Sequence, residues 1–275
     1  MADKKDYLEN LETFENFFDF SVDVSDSTAG IDVPWHLVRA NQLFTRLTVT
    51  SMSIIHLCPS NRIWGSSSQF WDFISVATLA RNLIENYHAF FYIGVEEVTE
   101  DERSFRLDLF NFHLNNEKYK LYKEGGSAEE ILKEFEERFP LDREGLRTHP
   151  FFNSLPKEKA KKILKGDEAM ILSQKEISGR LPFKTEEFVP IYRLFSNHTH
   201  SAPFAFFSQN NERGRGAENE AEVHYLAMTL DFCTKYLAAA ISDMARLFPS
   251  CVEKLNKQKL HIIQEKFSTY NKMNL

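Results

Sequence analysis

Residues 68–94 read SQFWDFISVATLARNLIENYHAFFYIG, and this stretch decides the fold. Ser68 is placed to cap a helix N-terminus, because its hydroxyl accepts an orphan amide proton of the first turn. Gly94 is placed to end it, since glycine takes the left-handed conformation without steric cost. No Gly or Pro lies between them, so the stretch predicts about seven turns of helix. Phe70, Trp71, Phe73, Ile74, Val76, Leu79, Leu83, Ile84, Tyr87, Phe90 and Phe91 make it apolar nearly all round. Such a helix belongs at the centre of a bundle. Arg81, Glu85 and His88 recur on it at i, i+4 and i+7, which predicts one shared polar face.

The rest of the chain supports helices. It has 275 residues, 43% of them hydrophobic and 25 of them Phe, enough for a substantial core. Only 10 Gly and 9 Pro argue against a turn-rich β protein. No useful stretch alternates with the period of a strand, and no internal repeat is visible. The reading is an all-α multi-helix bundle in a single domain, residues 1–275.

Residues 6–20 form an amphipathic pattern, and Asp32 and Pro34 signal the start of a helix ending at Cys58-Pro59. Thr99–Glu102 and Ser127–Glu130 read as capping boxes. The first opens a helix to about Lys123, and the second opens one that Pro140 should close. From about 141 to 180 the pattern weakens into an insertion, with short helices near 156–165 and 174–178. Thr185 reads as the cap of a further helix, and Pro203 ends that region. Ser208–Glu220 lacks an apolar anchor and predicts a mobile loop. A long helix at 219–247 and, beyond Pro249, a basic helix near 250–270 complete the chain.

Charge and cysteine content narrow the function. A formal net charge of −7 gives no general attraction to nucleic acid or anionic membrane, so RNA would need a local basic site. Three widely spaced cysteines (Cys58, Cys233, Cys251) make neither a disulfide framework nor a zinc site. No signal-peptide core or membrane-length apolar run is present, and the expected location is the cytoplasm. No cofactor and no membrane partner is predicted.

A second polar stretch, Tyr192-Arg-Leu-Phe-Ser196-Asn-His198-Thr-His200, repeats Tyr192, Ser196 and His200 every four residues. Arg193 and Asn197 share the adjacent face. Arginine near histidine suits phosphodiester chemistry without a metal. The guanidinium grips phosphate oxygens and stabilises developing charge. The imidazole moves protons near neutral pH. Plainer readings stand beside this one: Arg81–Glu85 as a bundle ion pair, His88 as a hydrogen-bonded core histidine, and Tyr192, Ser196 and His200 as a polar seam. His198 and His200 lack a third metal ligand.

The pairing of Ala80-Arg81-x-Leu83-x-Glu85 with Tyr192-x3-Ser196-x3-His200 resembles a widespread bacterial family of uncharacterised helical proteins. That family is similar to the HEPN superfamily (higher eukaryote and prokaryote nucleotide-binding) of toxin–antitoxin, abortive-infection and CRISPR systems. Many HEPN members are metal-independent RNases with an Arg, a polar residue and then a His, four to six residues separating Arg from His. Arg81-Asn82 with His88 matches that form. Arg193 with His198 matches its spacing, although Leu194 stands where the polar residue would be.

The resemblance implies Arg81, His88 and His200 as catalytic residues. It implies Asn82, Glu85, Tyr192, Arg193, Ser196 and His198 as binding residues. RNA or a nucleotide would be the ligand, and a second copy or an antitoxin-like protein the partner. The alternative is a non-catalytic binding or structural subunit whose polar cluster is architectural.

Overall fold

The central helix starts later than its serines suggest. A computed structural model describes residues 3–64, 70–181, 183, 187–200, 202–207 and 213–252. Within it α1 spans Lys4–Ser27, α2 Trp35–Leu57 and α3 Phe73–Phe90. Asp72, not Ser68, caps α3, its carboxylate accepting the Ser75 amide proton at 3.1 Å. Ser68 lies outside the described residues. Phe70 precedes the helix and is 61% exposed, whereas Trp71 is buried.

Gly94 is not a left-handed stop. The chain passes from α3 into a π-helical turn, Phe91–Val95, which contains Gly94. A Cβ built on Gly94 would lie 2.5 Å from the Cβ of Ala40 on α2. Glycine is there so that two backbones can approach, and not for its conformational range.

The chain divides into two compact units, one of residues 1–95 with 177–275 and one of Glu96–Glu176. In the first unit α3 packs against α2, α8 (Phe188–Thr199) and α10 (Glu220–Leu247). Val76, Ala77, Ala80, Leu83, Ile84, Tyr87 and Phe90 fill those contacts. α1 covers α2 and α10 with Tyr7, Leu11, Phe14 and Phe17. It starts before residue 6 because Asp3 and Asp6 form a reciprocal capping box upstream, and it runs on past 20 to Ser27. Asp32 does not cap α2; Pro34 occupies the N-cap position with no side-chain bond.

Pro203 begins the short α9, Pro203–Phe207, where closure was expected. Residues 208–212 of the expected loop, Thr185 and the terminal segment from 253 lie outside the described residues. From Arg213 onward the loop is anchored. Gly216 pairs with Trp71 in an isolated bridge, Glu218 meets Lys4 at 2.7 Å, and Arg213 meets Glu222 at 3.3 Å. α11, Pro249–Val252, is the described part of the expected basic helix.

The second unit, Glu96–Glu176, takes in the whole of α4 (Glu100–Glu124) and α5 (Glu129–Thr148), as well as residues of the expected insertion. Thr99 caps α4 by accepting the Glu102 amide proton, but Glu102 turns instead to Arg106. Ala128 precedes α5 without a side-chain cap, so Ser127 does not open it. Pro140 sits inside α5 and does not close it. Pro140 is exposed, so the carbonyl it leaves unpaired can face water, while Phe139 and Leu146 hold the helix to an aromatic core with Phe105, Leu109 and Phe112. α6 (Lys157–Lys165) ends at left-handed Gly166, and α7 (Gln174–Ser178) matches its expected span. No helix among the described residues is long and apolar enough to cross a membrane.

A buried acid ties α3 to α10. Tyr87 donates its hydroxyl proton to Asp243 at 2.9 Å. Burial pushes the Asp243 carboxyl up from 3.8 to about 6, against the opposing pull of Tyr87 and Arg246. An acid whose pKa is raised on folding favours the fold below its unfolded pKa, and that contribution is lost as pH rises through the folded value. Stability from this group should therefore fall between pH 4 and about 6, by up to about 3 kcal/mol at 1.4 per unit. Asp243→Asn should remove the slope, raising the denaturation midpoint at pH 8 and leaving it near wild type at pH 4. Gly94→Ala should instead cost about 1–3 kcal/mol at both pH values through its clash with Ala40.

Candidate functional site

Two helices of the first unit build the cluster. α3 carries Arg81 and Glu85 one turn apart, α8 carries Tyr192, and His200 is the residue that caps the end of α8. Arg81 Nε donates to Glu85 Oε1 at 2.9 Å, and the Tyr192 hydroxyl donates to the same oxygen at 2.5 Å. Arg81 Nη1 lies 2.7 Å from His200 Nε2. A guanidinium can only donate, so Nε2 accepts and the neutral imidazole carries its proton on Nδ1. The guanidinium also sits 5.3 Å from the Tyr192 ring centre, and Phe188 stacks on that ring at 5.0 Å.

The cluster lies at the rim of the core. The side chains of Arg81 and Glu85 are 19% and 34% exposed, and His200 is exposed. Burial works against the Arg81 charge, but Tyr192 and Glu85 outweigh it and hold the pKa above its ordinary value. Burial, then the bond to Glu85, raises the Tyr192 phenol, with Arg81 pulling the other way. The phenol therefore stays a proton donor.

The structure brings Arg81, Glu85, Tyr192 and His200 together and places the other nominated residues elsewhere. His88 is wholly buried between the rings of Phe188, at 5.3 Å, and Tyr236, at 5.8 Å. Helical spacing predicted one face for Arg81, Glu85 and His88, but α8 and α10 close over the third. Asn82 faces α2, accepting from Thr50 and from Asn86. Ser196 turns its hydroxyl back to the Tyr192 carbonyl. Arg193 is exposed, and its carbonyl accepts from Asn197. His198 is buried edge-on to Phe73 at 5.1 Å, and burial, then Arg213, lowers its pKa.

Phe188 was missed in the sequence, although an aromatic four residues before Tyr192 on one helix was a readable signal. Arg106 was missed too. It is 1% exposed, between Glu96 at 2.6 Å and Glu102 at 2.5 Å. Only Glu102, one turn away, could have been paired with it by spacing.

The chain belongs to a family of unknown function, DUF5677, whose family model matches residues 38–217. That span includes Arg81, Glu85, Tyr192 and His200. No curated protein and no solved structure matches the chain.

Loss of one member of a fully buried charge pair costs roughly 3–5 kcal/mol. The partial exposure of Arg81 and Glu85 lowers that figure, because water can reach the Glu85 left behind. Arg81→Ala should cost about 1–2 kcal/mol in equilibrium denaturation and leave the helical circular-dichroism spectrum unchanged.

Proposed function

We propose that this DUF5677 member is a metal-independent ribonuclease whose site is the Arg81–Glu85–Tyr192–His200 cluster. The observation that carries this reading is the meeting of Arg81 and His200 at 2.7 Å on an exposed edge. It joins a phosphate-binding fork to a proton-transfer group, which is what phosphodiester cleavage requires. The histidines of both HEPN-like Arg-to-His spacings, His88 and His198, are buried, so this chemistry rests on His200 and the HEPN resemblance bears on the setting. It suggests a defence or toxin–antitoxin setting, with a second copy or an antitoxin-like protein as partner.

In the proposed reaction Arg81 holds the non-bridging phosphate oxygens and offsets the charge that builds on them. His200 Nε2 takes the proton of the RNA 2′-hydroxyl, and that oxygen forms a bond to phosphorus. The bond from phosphorus to the 5′-oxygen breaks, and the departing oxygen takes a proton from the His200 imidazolium. The products are a 2′,3′-cyclic phosphate and a 5′-hydroxyl end. Glu85 orients both Arg81 and Tyr192 through one oxygen.

One observation favours a second reading. With His88 buried, the cluster holds a single exposed imidazole, which suits a nucleotide-binding module as well as an enzyme.

Incubation with single-stranded RNA in chelator should yield cyclic-phosphate ends. His200→Ala should lower the rate by about 10²–10⁴-fold. Cleavage that persists in His200→Ala, or stops when chelator is added, rejects the ribonuclease reading. Nucleotide binding without cleavage, lost in folded Arg81→Ala, selects the binding module.

A further inference from the structure

Arg81 and His200 occupy each other. Their contact uses Nη1 of the guanidinium and Nε2 of the imidazole. These are the atoms that phosphodiester chemistry needs, one to grip a phosphoryl oxygen and one to receive a hydroxyl proton. The fork has no spare edge on its other side, because Glu85 Oε1 holds Nε. Two parallel N–H bonds to an anion must then come from Nη1 and Nη2, and Nη1 already donates one of its two N–H bonds to His200.

We infer that the Arg81–His200 contact is a latch that a phosphodiester opens by displacing Nε2 from Nη1, so that His200 is released as a base only when phosphate is seated. The inference rests on the reading of this cluster as a phosphate site. The opening step exchanges hydrogen bonds alone. Nη1–H leaves the imidazole lone pair and turns to a phosphoryl oxygen, and no proton changes owner until a hydroxyl reaches Nε2. Glu85 and Tyr192 keep the guanidinium in place throughout, since neither of their bonds uses Nη1.

The latch makes a prediction opposite to that of a simple contact residue: removing His200 should improve binding. The probe is a fluorescent single-stranded 2′-O-methyl RNA oligonucleotide, which has the phosphodiester but no attacking hydroxyl. Anisotropy titrations at pH 8 would compare the full-length wild type with His200→Ala, His200→Gln and Arg81→Ala, each checked for folding by circular dichroism. His200→Ala should bind about tenfold more tightly than wild type, the scale of one net hydrogen bond to a charged group. His200→Gln, whose carbonyl can accept from Nη1, should bind as wild type does, and Arg81→Ala should not bind. Equal or weaker binding by His200→Ala, with Arg81→Ala still inactive, would overturn the latch and leave the phosphate site standing. Tighter binding by both His200 variants would show that ring bulk, not the hydrogen bond, blocks the fork, and would also overturn it. Absence of binding by both wild type and His200→Ala would overturn the phosphate reading itself.

Discussion

The packing of α3 constrains everything around it. Three helices of its unit, α2, α8 and α10, lean on it, and none of its residues is exposed. An arginine on such a helix cannot remain uncompensated, because taking a charge out of water costs several kcal/mol unless bonds replace the lost hydration. Arg81 meets that demand with Glu85 on its own helix and with the ring of Tyr192 on the next. These contacts fix the guanidinium, and its position brings His200 into the cluster.

Helix type and extent were legible because they follow from local patterns. The apolar run after Asp72, the break at Cys58-Pro59 and the periodic apolar positions of α10 all repeat in three dimensions. Ends were less legible, since α3 had two polar candidates for its cap while α2 and α5 start with no side-chain cap at all. Ser68 and Asp72 both precede α3, and the aspartate takes the Ser75 amide. Pro140 misled because a proline's effect depends on which way the helix faces. On an exposed face of α5, with Phe139 and Leu146 buried beside it, the helix continues.

The site was legible in half-measure for the same reason. Spacing gives the face of an isolated helix but not the place where a neighbour ends. Arg81, Glu85 and His88 share a stripe, yet Phe188 and Tyr236 cover only the last of them. On α8, Tyr192 and His200 reach the cluster, while Ser196, midway between them, spends its hydroxyl on its own helix. No periodicity reports that choice, since a serine within a helix has a backbone carbonyl one turn back always in reach. Gly94 was hidden differently: its role is a close approach to Ala40, far off in sequence.

Arg106 shows what a purely structural arginine looks like in this chain. It is enclosed, and two carboxylates, Glu96 and Glu102, meet it at hydrogen-bond distance. Two acids exceed the charge they face, and nothing in that arrangement invites a further anion. Arg81 is supplied differently. One carboxylate balances its charge, and its remaining contact at the open edge is a neutral imidazole. A neutral acceptor holds a guanidinium less firmly than a charged one, since bonds between two ionised groups are the stronger kind. An anion arriving at that edge therefore competes against the weaker of the two bonds, whereas at Arg106 it would meet two carboxylates. The difference between the two arginines lies in what they are paired with: two carboxylates at Arg106, and one carboxylate with a neutral ring at Arg81.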